Sequence, residues 1–227
     1  MFNASLSGNA PLLKSAIKSG ACVSTINEQG QTALHYAVVF QKYDCAEILI
    51  DAGTPVNVQD NTGRTPLHIV CNIYDNPIMV ASLIRAGANV NIKDNLGNTP
   101  LHEMFLVGTC FEMAKALIEA GADVNATNHK GLTPLHYVIN GLIPDCTTDI
   151  LDLFIESGAD LNISDINGMT ALHFASLLGK VFHVKKLLKA GCSISSSTKE
   201  GYTPLRLSFR FRNSNVTRLL INFGAVY

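Results

Sequence analysis

The sequence predicts an all-α fold, a solenoid of about seven stacked helix-turn-helix units with hairpin-like fingers, and three observations carry that expectation. A short motif recurs six times, as GQTALH at 30–35, GRTPLH at 63–68, GNTPLH at 97–102, GLTPLH at 131–136, GMTALH at 168–173 and GYTPLR at 201–206. The motif threonines, Thr32, Thr65, Thr99, Thr133, Thr170 and Thr203, stand 33, 34, 34, 37 and 33 residues apart. A period of that length marks stacked units, each unable to bury its apolar face alone. A second marker closes each unit: Gly20, Gly53, Gly87, Gly121, Gly158, Gly191 and Gly224. Each of the first six precedes the next motif threonine by 12 residues, so length varies only in the 21 to 25 residues between a threonine and the following glycine. One side of the repeat is fixed and the other tolerates growth.

Within a unit the elements follow from local chemistry. The motif threonine suits an N-cap, its hydroxyl accepting from an unpaired backbone N–H, and proline suits the first helical turn. A short first helix therefore starts at TPLH. After a turn comes a second helix, such as CAEILIDAG at 45–53 or MAKALIEAG at 113–121, with apolar residues at helical spacing and a C-capping glycine. The constant link, for example GANVNIKDNLGN at 87–98, carries the Asn, Asp and Gly that tight turns need, and is expected to project as a finger. The units fall at about 1–21, an N-terminal capping unit that resembles the later part of a repeat, then 22–54, 55–88, 89–122, 123–159, 160–192 and 193–227. The longest insertion, within 137–150, lies between the two helices of its unit, opposite the fingers.

Composition sets the outer limits. With 47% apolar and 15% charged residues in 227, the chain has material for a substantial core. Apolar runs such as 36–40 are far too short to cross a bilayer, and residues 1–13 lack the basic start and apolar centre of a signal peptide. A soluble, intracellular and cytoplasmic protein is expected. The six cysteines, at 22, 45, 71, 110, 146 and 192, form no CxxC pair and read mostly as small buried hydrophobes.

TPLH followed by an apolar helix, LI-x-AGA, and DVN or NVN fingers resemble the ankyrin repeat family, over essentially the whole chain. The resemblance implies a non-catalytic protein-protein interaction module, a scaffold or adaptor, with no cofactor and no metal. His35, His68, His102, His136 and His173 recur at one motif position, as expected if a ring nitrogen bonds near the threonine and fixes the helix start. A metal ion needs ligands converging at about 2 Å, whereas these lie a repeat apart. His129, in a finger, and His183, on a second helix, are isolated. Neither GxxxxGKS/T nor GxSxG occurs, and no cysteine has a motif partner that would mark a nucleophile.

Ankyrin arrays, by this resemblance, hold a partner in the concave groove between the fingers and the first helices. The two positions four and five residues after the motif histidine or its replacement are Val39 and Phe40, Asn72 and Ile73, Leu106 and Val107, Asn140 and Gly141, Leu177 and Leu178, and Arg210 and Phe211. This apolar line is the expected contact surface. Charge adds direction: residues 180–227 hold nine bases and one acid, Glu200, while residues 1–179 hold 8 bases and 17 acids. The expected partner is therefore a protein whose acidic portion meets Arg206, Arg210 and Phe211, while its apolar portion runs towards Leu177, Leu178, Leu106 and Val107. A competing account has Arg206 cap a terminal repeat that lacks a neighbour. No nucleic acid, no membrane insertion and a monomer are expected.

A second class of function stays open, the substrate-recruiting part of a larger enzyme or ubiquitin-ligase assembly whose active portion lies on another chain. The sequence ends at FGAVY without a SOCS-box-like or F-box-like segment, so the array is either the whole protein or a piece cut at a repeat boundary. The resemblance also implies asparaginyl hydroxylation where a leucine stands eight residues before a finger asparagine. Leu117 with Asn125 fits best, and Leu83 with Asn91 comes next.

Overall fold

The computed structural model describes residues 1–73, 76–106, 111–141 and 147–226. Val107, Cys110, Cys146 and the centre of the insertion at 142–146 fall outside them. Among the described residues there are fourteen α-helices, and extended pairing is confined to two isolated antiparallel bridges, Ile26 with Thr32 and Ser164 with Thr170. The chain divides into two compact halves, Met1–Ala122 and Asp123–Tyr227.

The first half holds α1 (Phe2–Ser7) and α2 (Ala10–Lys18), α3 (Ala33–Val39) and α4 (Tyr43–Asp51), α5 (Pro66–Ile73) and α6 (Pro77–Arg85), and α7 (Pro100–Glu103) with α8 (Phe111–Glu119). A 3-10 turn, Met104–Leu106, extends α7. In the second half lie α9 (Pro134–Asn140) and α10 (Thr147–Glu156), α11 (Ala171–Leu177) and α12 (Val181–Lys189), and α13 (Pro204–Arg210) and α14 (Ser214–Asn222). First helices pack on first helices, α1 on α3, α3 on α5 and α5 on α7, and likewise α9 on α11 and α11 on α13. Second helices form their own row, as α2 on α4, α4 on α6 and α6 on α8 do. The residues before the first motif thus form a helix pair, although they lack the motif itself.

Two leucine rows explain the stacking. Leu34, Leu67, Leu101, Leu135, Leu172 and Leu205, each just after the N1 residue of a first helix, are fully or almost fully buried. Leu49, Leu83, Leu117, Leu187 and Leu220, with Phe154 in the same place, fill the second-helix row. Burying one such side chain contributes about 1.5–3 kcal/mol, so each repeat gains most of its stability from its neighbours.

The motif histidine makes the joint between a helix and the next finger. Its Nδ1 lies 3.0–3.2 Å from the threonine backbone nitrogen and 2.8–2.9 Å from the threonine hydroxyl in all five histidine repeats. Its Nε2 reaches a backbone oxygen of the following finger: His35 to Arg64 at 3.2 Å, His68 to Asn98 at 3.2 Å, His136 to Met169 at 3.2 Å and His173 to Tyr202 at 3.1 Å. A carbonyl can only accept, so the partners assign the proton to Nε2 and leave Nδ1 to accept from threonine. The cap therefore differs from simple threonine capping: the histidine takes the role that glutamate or glutamine plays in a capping box. Thr203, which has no histidine three residues on, accepts from the Arg206 N–H at 3.2 Å without a reciprocal ring bond, as Thr65 accepts from the His68 N–H at 3.4 Å.

Fingers are built from side-chain turns and backbone rungs. Asp60 Oδ1 accepts from the N–H groups of Thr62 and Arg64 at 2.9 and 3.0 Å, and Asp94, Asn128 and Asp165 repeat the pattern. Finger then bonds to finger through Asn61 N–H to Gln29 O at 2.9 Å, Asn95 N–H to Thr62 O at 3.0 Å and Lys199 N–H to Asn167 O at 2.9 Å. The glycine at the finger turn is needed twice over. Gly63 has φ +80°, and a Cβ there would stand 2.6 Å from the Asn95 backbone nitrogen. Gly53 has a similar φ, +77°, with nothing within 4 Å of the same point.

That contrast gives a first prediction. Gly53→Ala should cost about 1–2 kcal/mol, the left-handed backbone alone, whereas Gly63→Ala should cost more because the next finger must also move. Urea unfolding followed by circular dichroism separates them, and equal losses would remove the finger-to-finger contact from the account.

Protonation supplies a second. Burial, opposed more weakly by the carbonyl at Nε2, holds the imidazoles of His35, His68, His136 and His173 below their usual value. His183 is pushed down to about 4 by burial and by the charges of Lys180 and Lys186. The unfolded chain therefore binds these protons first, near pH 6.5, so the stability they contribute is complete above that pH and is lost as pH falls through the folded values. Glu103 acts in the other direction, since burial raises its carboxyl and the folded chain takes up that proton early. The unfolding midpoint should fall from pH 6.5 to about 4, and His68→Gln should flatten the slope by up to about 1.4 kcal/mol per pH unit. A midpoint independent of pH across that range would contradict the assigned tautomer.

Candidate functional site

At the C-terminal end of the second half, one tyrosine organises two arginines. Arg206 and Arg210 lie one helical turn apart on α13, so both side chains leave the same face. Their guanidinium carbons stand 5.3 and 5.2 Å from the Tyr202 ring centroid, and Arg210 Nη1 also donates to the Tyr202 hydroxyl. Tyr202 is itself fixed, because its backbone oxygen faces His173 Nε2. Among the described residues neither arginine has a carboxylate within ion-pair distance. The pair is braced and unneutralised.

Beside it lies an open depression of about 480 Å³, lined by finger residues, including Asn167, Met169 and Lys199, and by Leu177, Arg210 and Phe211 from the ends of first helices. Leu178 is exposed next to Leu177. Of the residues expected to contact a partner, the structure thus gathers Leu177, Arg210 and Phe211 at one depression, with Arg206 stacked on the tyrosine beside it. Tyr202 was missed by sequence reasoning. It fills the variable middle position of GxT, and that variability amid fixed neighbours was the available signal of a side chain that stacking does not require.

The first half offers less. Phe40 is exposed, Val39 and Ile73 are half-buried, and the Phe40 ring sits 6.0 Å from that of Tyr36. Asn72 turns to Glu103, whose Oε2 accepts from it while Oε1 accepts from Asn98 Nδ2 at 2.9 Å. Glu103 is a buried carboxylate that the motif reading did not single out. Leu106 closes the 3-10 turn, and Val107 lies outside the described residues.

The remaining candidates have mainly structural places. Asn91 Nδ2 donates to Gly121 O at 2.9 Å, and Asn125 Nδ2 to Gly158 O at 3.3 Å while its Oδ1 accepts from Asp160 N–H at 2.8 Å. These asparagines tie a finger to the next repeat. Leu83 and Leu117 are fully buried. His129 is exposed in a finger, and His183 is buried with no hydrogen-bond partner at Nε2. Of the described cysteines, Cys45, Cys71 and Cys192 are buried, and burial raises all three thiols. Cys22 is exposed, and hydrogen bonding from Ser24 lowers its thiol. Among the described residues no three His, Cys, Asp or Glu side chains converge as metal ligands, and no helix is long and apolar enough to cross a membrane.

Comparison with known proteins agrees with this architecture. The family described as "Ankyrin repeats (3 copies)" matches residues 1–76, 67–165 and 145–227. The Neurogenic locus Notch protein of Drosophila melanogaster is 45% identical over 60 residues, 26% of this chain and 2% of that protein. The RelA-associated inhibitor of Mus musculus is 37% identical over 81 residues, 36% and 10% of the two chains. The ankyrin repeat protein YahD of Escherichia coli strain K12 is 38% identical over 64 residues, 28% and 32%. The shared stretches are thus short parts of these relatives. Among solved structures, the ankyrin repeat domain of Bcl-3, a member of the IkappaB protein family, matches with a TM-score of 0.81 at 26% identity, covering 97% of this chain and 96% of that one. The three family matches run the length of the sequence and coincide with paired helices, capped motifs and bonded fingers, so this chain belongs to the ankyrin repeat family, a family of protein-interaction modules.

Proposed function

We propose that this chain is a non-catalytic scaffold or adaptor that holds a protein partner in the groove of its second half. The observation that carries the reading is the arginine pair, braced on Tyr202 at the edge of a depression that Leu177, Leu207 and Phe211 line together with Glu200, neither arginine being ion-paired among the described residues. Guanidinium groups held in place lose little entropy when a carboxylate arrives, and can meet it in bidentate pairs. Leu177, Leu178 and Phe211 then receive the apolar side chains of the same partner segment. The names of two relatives support protein binding in general: one is an inhibitor associated with RelA, the other belongs to the IkappaB family. The partner of this chain is set by its own groove residues.

Arg210→Glu should weaken partner binding by about 1–3 kcal/mol, and Leu178→Asp should weaken it as well, both with nearly unchanged thermal stability because both positions are exposed. Quantitative affinity-purification mass spectrometry compares the wild-type chain with the two variants. Partners that remain bound to both variants would take the groove out of the mechanism.

We also propose Asn125, and after it Asn91, as acceptors of asparaginyl hydroxylation. The supporting observations are the leucine spacing and the place of both side chains on fingers, Asn91 exposed and Asn125 half-buried. Because each carboxamide is bonded to the following repeat, the finger must open for the enzyme to reach it. Coexpression with an asparaginyl hydroxylase should add the mass of one oxygen at Asn125. An unmodified intact mass would end the proposal.

A further inference from the structure

The depression in the groove of the second half brings apolar and cationic side chains together. Met169, Leu177, Leu207 and Phe211 line it with Lys199 and Arg210. Its openness belongs to the groove. Phe40 and Leu178, the counterparts of Phe211 in two earlier repeats, are 45% and 41% exposed although a further helix pair follows each, and Phe211 itself is 51% exposed. The counterparts of Arg210, among them Val39, Asn72, Asn140 and Leu177, are likewise half-buried or exposed. Arg206 differs, since the other repeats have buried histidines at its position, so Arg210 and Lys199 are the cations that define the site.

Charge and donors select the occupant. Among the described residues neither Lys199 nor Arg210 has an ion-pair partner, although Glu200 lines the same depression. A carboxylate brings one charge and two oxygens, enough for one guanidinium in a bidentate pair. A phosphorylated side chain brings a charge of about −1.5 to −2 and three acceptor oxygens, enough for Arg210 and Lys199 together. Thr198, also in the lining, accepts from the Tyr202 N–H at 3.1 Å, which leaves its hydroxyl proton available to such a group. The apolar lining then chooses among phosphorylated side chains. A phosphoserine would leave Leu177 and Phe211 uncovered, whereas the ring of a phosphotyrosine covers them while its phosphate meets the cations.

We infer, resting on the groove reading, that the acidic portion of the partner is a phosphotyrosine side chain and that this depression is its binding site. The probe is phenyl phosphate, titrated into the whole 227-residue chain and followed by amide shifts in NMR spectra, with benzoate and inorganic phosphate as comparisons. At about pH 7.5 the wild type should bind phenyl phosphate about tenfold more tightly than either comparison, with shifts at Lys199, Tyr202 and Arg210. Arg210→Gln should weaken both phosphates, Phe211→Ser only phenyl phosphate, and Glu200→Gln should strengthen both. All three positions are exposed, and thermal melts confirm that the variants are folded. On lowering the pH to about 5.5, phenyl phosphate loses its second charge and should bind less tightly, while benzoate should not change. Benzoate binding as tightly as phenyl phosphate would overturn the inference and leave a carboxylate site, with the groove reading intact. Inorganic phosphate binding as tightly would also overturn it, because the apolar lining would take no part. Oligo(dT) displacing phenyl phosphate at equal concentration would assign the site to nucleic acid. Failure of all three anions to shift these amides would remove both the phosphotyrosine site and the groove reading.

Discussion

The bond from a motif histidine to the following finger, made by His35, His68, His136 and His173, is the constraint on which the rest depends. A buried imidazole with its proton on Nε2 has one donor and one acceptor pointing in nearly opposite directions, and the repeat uses both. Nδ1 holds the threonine that begins the first helix, and Nε2 holds a carbonyl of the next finger. Helix start and repeat spacing are thereby set by one ring. Leucine burial supplies most of the energy, but it is non-directional and would tolerate sliding. The imidazole fixes the register in which the leucines meet.

Because few residues per repeat do this work, the others are released from it. The middle residue of GxT reads Gln31, Arg64, Asn98, Leu132, Met169 and Tyr202 through the six copies. Its backbone oxygen is held by histidine in several of them while the side chain is free to serve another purpose. At Tyr202 that purpose is to support two arginines; at Asn98 it is to help hold a buried glutamate. The rigid finger makes a good platform for such groups, since their backbone loses little further entropy when a partner binds.

In the last repeat the histidine is absent, and the joint changes with it. Arg206 replaces it, Thr203 accepts from the Arg206 N–H without a reciprocal ring bond, and the arginine side chain is exposed. Its guanidinium stacks on the Tyr202 ring. Lys186, by contrast, pairs with Asp152 and lies 5.0 Å over Phe182. Part of the positive charge read from the sequence as one block is therefore lysine on a second helix, partly neutralised, while Arg206 and Arg210 remain without a carboxylate among the described residues.

The sequence by itself determined the repeat, the order of helices and fingers and the structural place of the histidines, because a fixed spacing of chemically constrained residues leaves one stacking solution. It also singled out Leu177, Arg210 and Phe211, three residues that line one depression, since motif offsets convert directly into equivalent positions on successive repeats. It led to the expectation of a histidine ring nitrogen near the threonine but did not show that Nδ1 is that atom or that Nε2 reaches the following finger, because that depends on which ring nitrogen meets which backbone group. Nor did it show Asn72 turning to Glu103 or Tyr202 bracing the arginines. Each of these is a contact between residues on different elements, and only the tertiary structure decides which side chains lie within reach of one another.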